Sequence, residues 1–406
     1  MHALPYWRLS GYYFFYFAFI GAFSPYFGLY LQSLSFSAWD IGFLMSQMQL
    51  MRLFAPYAWG AFADRTASRV SVVRIAAVLG LLAFLGFFAA RGFAAMLAGM
   101  ALLAFFWSAA LPLVETLTFD HLREDPARYS RIRLWGSIGF IVAVMGTGLL
   151  LDAVPLVGLL WAIAGTLLGL LACAMVLPQA PAHRSAEGGP VPIGAIVGQP
   201  RVRALFAACF AMSAAHGALY VFYSIHLAEH GYDTLVVGSL WSLGVIAEIV
   251  VFWFIGGILR RFALRGVLLA SFAAAVLRFL IIGWGVGNPG LLIFAQLLHG
   301  LTFGAYHAAA IAAVNRWFPG RCQARGQALY SAVSFGAGGL AGGLLSGWTW
   351  GNWGAEASFT LSSVFALAGL CLVALRIDDA PLDPVSGTPS SRVAERVWRQ
   401  GFVDGK

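Results

Sequence analysis

Five ionisable side chains stand where the surrounding sequence is almost wholly apolar: Arg52, Glu115, Glu248, Arg278 and His299. Arg133 stands at the edge of a further apolar stretch. A charge inside hydrocarbon is costly, so residues of this kind face a partner or a polar path through the protein. Acids, arginines and a histidine in such a setting can hold an ionic small molecule and can take up and release protons. An internal ion pair that only ties helices together is the rival reading for any one of them. Opposite charges spread over both halves of the chain favour the polar path. Five residues, about 7.5 Å of helix rise, separate Glu115 from Asp120 and place Glu115 well inside its apolar span. Gln49 lies one turn before Arg52, either as a cavity neighbour or as a buried packing amide. His307 follows His299 by eight residues and shares roughly its helix face.

The elements that must carry these residues follow from composition. The 406 residues are 60% hydrophobic and 10% charged, with a mean hydropathy of +0.81. A soluble chain carries about 25% charged residues, so this one cannot cover a surface facing water. Soluble enzymes, nucleic-acid binders and disordered chains are excluded. A helix needs about 20 apolar residues to cross a bilayer, and that window gives twelve spans: 11–33, 40–63, 71–90, 94–119, 134–152, 155–177, 204–227, 235–259, 266–284, 290–314, 327–349 and 357–376. The runs are continuous rather than alternating, which indicates helices and not barrel strands. The longest polar interruption, 178–203, follows the sixth span. The expected fold is therefore an all-α polytopic membrane protein, with twelve transmembrane helices in two pseudo-symmetric six-helix bundles. Its parts are an N-terminal bundle at 1–177, a cytoplasmic central loop at 178–203, a C-terminal bundle at 204–377 and a cytoplasmic tail at 378–406. The first apolar run is longer than a signal sequence core and has no small-residue cleavage site after it.

The net charge of +8 comes from 25 basic residues, of which only Lys406 is a lysine. With both termini cytoplasmic, 22 of the 25 fall on the cytoplasmic side and Arg91 alone outside, as the positive-inside rule requires. The charge orients the chain in a lipid bilayer and is no sign of nucleic acid. The four cysteines, at 173, 209, 322 and 371, show neither metal spacing nor a disulfide framework. No Walker sequence occurs, so ATP is not expected as energy source, and no cofactor or metal is expected. Glycine-rich span eleven reads as a seam for close helix packing.

Sliding the chain on itself by 196 residues aligns eleven identities over residues 18–69. Gly21-Ala22 meets Gly217-Ala218, Gly42 meets Gly238, and 60–69 meets 256–265. Arg52 meets Glu248, which predicts that both point to the centre of the molecule and can face each other across it. Parallel six-helix repeats are the mark of one transporter architecture.

The stretch Gly60-x-x-x-Asp64-Arg65-x-x-x-Arg69 resembles the signature loop of the major facilitator superfamily. Its second copy keeps Gly256, Arg261 and Arg265 but has Arg260 in place of the acid. The resemblance implies a gating latch at Gly60, Asp64, Arg65 and Arg69, in which an acid at a helix end ties two helices and lets go as the halves rock. A plain basic anchor would need the arginines but neither Gly60 nor Asp64. Residues FFYFAFIGAFSPYFGLYL, Pro112-Leu-Val-Glu115, Arg131–Phe140 and His299-Gly-Leu-Thr-Phe-Gly304 are similar to the lactose permease and 3-phenylpropionate permease group of proton symporters. That resemblance covers essentially the whole chain. It implies that Glu115 and Arg133 bind substrate together, that Phe140 offers a ring platform, and that His299 supports proton coupling. The sugar permease has an acid three residues after this histidine, where Thr302 stands here and cannot ionise. Glu248 is then the leading proton site, with Arg278, His299 and His307 around it.

The function so implied is proton-coupled symport of a small organic substrate in a bacterial inner membrane by alternating access. Two arginines and a first span dense in Tyr and Phe point to an aromatic acid such as 3-phenylpropionate. An oligosaccharide or nucleoside symporter, or a drug–proton antiporter, are the alternatives.

Overall fold

The computed structural model describes residues 4–66, 68–122, 128–179 and 193–379, without the side chains of Asp64 and Arg321. The described chain is helical. Ten segments are long and apolar enough to cross a membrane. Those with a single crossing are α1 (Tyr6–Ser33), α3 (Arg69–Phe88), α4 (Phe93–Leu122), α5 (Arg128–Ala153), α6 (Gly158–Val176), α7 (Pro200–Glu229), α8 (Thr234–Arg261), α9 (Leu264–Trp284) and α10 (Pro289–Trp317). The tenth, Gln323–Arg376, has 54 residues, about 80 Å at 1.5 Å per residue. It turns back at Gly354, whose φ of 86° suits glycine, and so supplies α11 (323–353) and α12 (355–376). The twelfth crossing, α2, is broken into Ala38–Met51 and Ala55–Thr66. Each piece is too short to count alone. The break falls just ahead of Pro56, which has no N–H for the preceding turn. Of the expected central loop, residues 180–192 lie outside the described ones. Gly194–Val197 is a single helical turn, and α7 begins at Pro200. The tail from 380 onward also lies outside the described residues.

The repeat seen in the sequence has a packing counterpart. Gly21 of α1 lies against the Phe140 backbone of α5, and Gly217 of α7 lies against the Gly342 backbone of α11. Gly42 of α2 meets α11, where an added methyl would stand 2.8 Å from the Gly347 Cα. Gly238 of α8 meets α5, where the methyl would stand 2.9 Å from the Val144 carbonyl oxygen. Each pair of repeat glycines thus permits the same close approach twice, Gly21 and Gly217 within their own halves and Gly42 and Gly238 between the halves. Small residues at such crossings let helices pack by van der Waals contact in a bilayer, where no hydrophobic force drives them together.

Described hydrogen bonds join the halves at the end remote from the termini. The Tyr26 hydroxyl lies 2.8 Å from the Val144 carbonyl and 3.1 Å from that of Thr234. Gln32 Nε2 donates to Glu229 at 3.0 Å. Asp152, in the last turn of α5, accepts from the backbone N–H groups of Thr234 and Leu235 at 3.0 and 3.3 Å, and also from the Thr234 hydroxyl. These are the free donors of α8's first turn. Asp233, at α8's own N-cap, makes no capping bond. One half therefore caps a helix of the other.

Candidate functional site

A cavity of about 190 Å³ lies between the halves. The first half contributes Phe17, Ile20 and Ser24 from α1 and Arg133, Ser137 and Phe140 from α5. The second contributes Leu219 and Tyr220 from α7, Trp241, Gly244, Val245 and Glu248 from α8, Arg278 from α9, and Gln296, His299 and Phe303 from α10.

Glycines shape both walls. The Arg133 guanidinium lies over the Phe17 ring, 3.9 Å from its centroid. Gly136, three residues on, leaves room for that stack: a methyl there would stand 2.6 Å from Phe17 Cδ2 and 2.9 Å from Arg133 Nη1. On the other wall, α10 passes through a π-helical segment, Gly300–Ala305. Gly300 and Gly304 let that segment lie against Ala247, Glu248 and Val251 of α8. A π segment widens the turn and re-aims the side chains around it. His299 Nε2 thereby comes to 3.7 Å from a Glu248 carboxylate oxygen, and its ring stacks on Phe303 at 5.4 Å.

Arg278 is only 1% exposed. Its Nε donates to the Ala295 carbonyl at 2.9 Å, Nη1 to Thr302 Oγ1 at 3.1 Å and to His216 Nε2 at 3.4 Å, and Nη2 to Gln296 Oε1 at 3.2 Å. His216 Nδ1 faces the Met212 carbonyl at 2.8 Å and must carry the hydrogen there, which leaves Nε2 as the acceptor for Arg278.

The expected site residues divide accordingly. Arg133, Phe140, Glu248, Arg278 and His299 come together on the cavity wall. Glu115, Gln49, Arg52 and His307 are not on that wall. Glu115 accepts from the Tyr129 hydroxyl at 3.2 Å and forms no ion pair with Arg133 within 4 Å among the described residues. Gln49 packs on Gly339, and its side-chain oxygen is buried without a partner. Arg52 stands at the break in α2, its guanidinium 5.9 Å from the Phe335 ring. Arg133, and not Arg52, shares the cavity lining with Glu248. The repeat places Arg52 and Glu248 at matching positions, but the unwinding of α2 turns the arginine elsewhere. His307 Nδ1 meets the Tyr330 hydroxyl at 2.9 Å. His226 is fully buried, with Nε2 3.2 Å from the Ile282 carbonyl.

In the signature loop, Arg69 pairs with Asp120 at the end of α4. The side chain of Asp64 lies outside the described residues, and Arg65 is exposed. Gly60 borders a second cavity of about 200 Å³ between α2 and α4, with Trp59, Pro112 and Thr116. The cavity residues that sequence reasoning missed include Phe17, Tyr220, Trp241, Gly244, Gln296 and Phe303. Only Gln296, an amide one turn before His299 in an apolar span, carried a signal that could have found it.

This architecture has known counterparts. A model of the MFS_1 like family matches residues 6–361. The chain belongs to this family, within the major facilitator superfamily. It is 31% identical over 337 residues to a probable 3-phenylpropionic acid transporter of Escherichia coli K12, covering 81% of this chain and 87% of that one. It is 26% identical to the maltose permease of Geobacillus stearothermophilus, with coverage of 90% and 92%. A crystal structure of a mutant of the nucleoside transporter NupG superposes with a TM-score of 0.81 at 21% identity, covering 91% of this chain and 98% of that one. The protein is a multi-pass membrane protein and a secondary transporter of this superfamily rather than an enzyme.

Proposed function

We propose that this transporter carries a small aromatic carboxylate together with a proton, by alternating access, in a bacterial inner membrane with both termini cytoplasmic. The halves 1–177 and 204–377 rock about the central cavity, joined by the loop 178–203, and neither ATP nor nucleic acid takes part. The observation that carries the reading is the cavity itself. It combines two arginines and one acid with the rings of Phe17, Phe140, Tyr220, Trp241 and Phe303. A cavity of ~150 Å³ accepts a benzene-sized ring, so about 190 Å³ suits one ring with a short acidic chain better than a disaccharide. The 31% identity to the probable 3-phenylpropionic acid transporter supports the same choice.

Glu248 is the proton carrier in this reading. An arginine that approaches a carboxylate favours its charged form, and withdrawal favours the proton. Arg133 belongs to the other half, so rocking changes its distance from Glu248. His299 is the next station, and substrate contact falls to Arg133 and Phe140. Glu115, Gln49 and Arg52 keep a part only in a conformation that brings them to the cavity. Gly60, Asp64, Arg65 and Arg69 act on the rocking and not on the ligand.

The test is uptake of labelled 3-phenylpropionate into proteoliposomes under an imposed proton gradient. Accumulation that collapses with a protonophore supports the reading, and accumulation of a nucleoside or maltose in its place overturns the substrate.

A further inference from the structure

Arg278 is a buried cation whose partners are all neutral. The four acceptors are a carbonyl, a hydroxyl, an amide oxygen and a histidine nitrogen, and no acid lies within 4 Å among the described residues. A guanidinium has five N–H groups, so one, on Nη2, has no partner. Hydrogen bonds to neutral groups leave the charge uncompensated, a state that burial makes costly. Glu248, the acid of the cavity wall, is turned to His299 instead.

The amide of Gln296 adds an independent observation. Arginine only donates, so Gln296 must present Oε1 to it, and this fixes Nε2 on the opposite side. Nε2 is buried and makes no hydrogen bond of good geometry among the described residues, its neighbour being the equally unsatisfied Tyr223 hydroxyl, in a side chain 3% exposed that borders the cavity. His299 Nδ1, on the same wall, is also unpartnered. Leaving such groups unsatisfied is unfavourable, and native structures rarely do so without a reason. Access to this corner is kept by Gly244 of α8. A methyl there would stand 3.2 Å from Gln296 Oε1 and 3.3 Å from His299 Cδ2.

We propose that the carboxylate of the transported anion is held on the second half of the molecule, by Arg278 and the Gln296 amide beside His299. The ring then occupies the aromatic-lined remainder of the cavity. This rests on the reading of the substrate as an aromatic acid and adds where its charge goes. Arg133 then meets the substrate beside its ring rather than at its carboxylate, so that ligand charge and coupling proton answer to cations of different halves.

The test supplies Arg278 with an internal anion. Gln296→Glu replaces the amide with a carboxylate of the same size, and Thr302→Asp does the same from the position that now accepts from Nη1. Binding of 3-phenylpropionate, its uncharged amide and hexanoate to the purified full-length protein is followed by calorimetry. Charged hydrogen bonds of this kind correspond to roughly 10- to 150-fold in affinity. Thr302→Asp is expected to weaken 3-phenylpropionate by that factor while leaving the amide within about 3-fold, Gln296→Glu to weaken the acid more than the amide, and both to melt no lower than the unsubstituted protein. Unchanged acid affinity overturns the proposal, and so does an equal loss for acid and amide. Failure of both variants to fold also overturns it, because compensating Arg278 should stabilise. The underlying reading fails separately. Should the protein bind hexanoate but not 3-phenylpropionate, and Gln296→Glu abolish that binding, the anion site stands and the aromatic substrate falls. Binding of neither acid sinks both.

Discussion

Removing the Asp152 carboxylate should loosen the closure of the halves at the end remote from the termini. Asp152 accepts two backbone N–H groups and a hydroxyl of Thr234–Leu235, so it serves as the N-cap of a helix in the other half. Loss of an N-cap costs about 0.5–2 kcal/mol. Here it is lost only from the closed state, so the closed-to-open ratio should fall roughly 2- to 30-fold. Asp233 already has the extended backbone of a capping residue, φ −68° and ψ 160°, and its side chain makes no capping bond. It can cap α8 when the halves part and Asp152 withdraws. In the double variant Asp152→Ala, Asp233→Ala the open state loses its cap as well, so the ratio should return toward that of the unsubstituted protein. Spin labels at Val157 and Gly287, both exposed and one on each half, would report the distance distribution by pulsed electron resonance. The four native cysteines have to be replaced first. A longer-distance population that grows in Asp152→Ala and shrinks again in the double variant is the expected result. Identical distributions in all three proteins would refute the exchange of caps.

Glu248→Gln should abolish accumulation driven by a proton gradient while exchange of substrate across the membrane persists; continued accumulation would move the proton site to His299. Gly136→Ala should push Arg133 off Phe17, given the 2.6 and 2.9 Å approaches of the added methyl. A cation–π contact is worth about 0.5–2 kcal/mol, so transport affinity should fall roughly 2- to 30-fold, and an unchanged uptake affinity would show the stack to be idle. Asp64→Asn should slow cycling, read as the uptake rate at saturating substrate, and leave the affinity measured by calorimetry nearly intact. Tags at both termini should be labelled only from the cytoplasmic side, and periplasmic labelling of the C-terminus would contradict the orientation drawn from the 22 basic residues.

The sequence by itself determined the class of fold, the spans and the repeat. Each depends on a property that a bilayer reads along one dimension: apolar length, the placement of arginine in short loops, and glycine where helices must cross closely. The same logic exposed Arg278, Glu248 and His299, because a charge in an apolar run stands out without knowledge of its neighbours. Only the tertiary structure decided which charges meet. Arg52 and Glu248 correspond in the repeat, yet the break before Pro56 sets Arg52 beside Phe335, while Arg133 shares the cavity lining with Glu248. Glu115 and Arg133, 18 residues apart and expected to bind together, take Tyr129 and Phe17 as partners. Gln296 carried only an ambiguous signal, since a single amide in an apolar span reads equally well as helix packing. Asp152 stands at the end of an apolar span, and only the fold shows that α8 begins beside it. The physical reason is common to all four. Hydropathy and charge say how deep a residue lies, whereas its partner depends on the rotation of each helix about its own axis, and that is set by glycine contacts, a π segment and a proline break acting between distant parts of the chain.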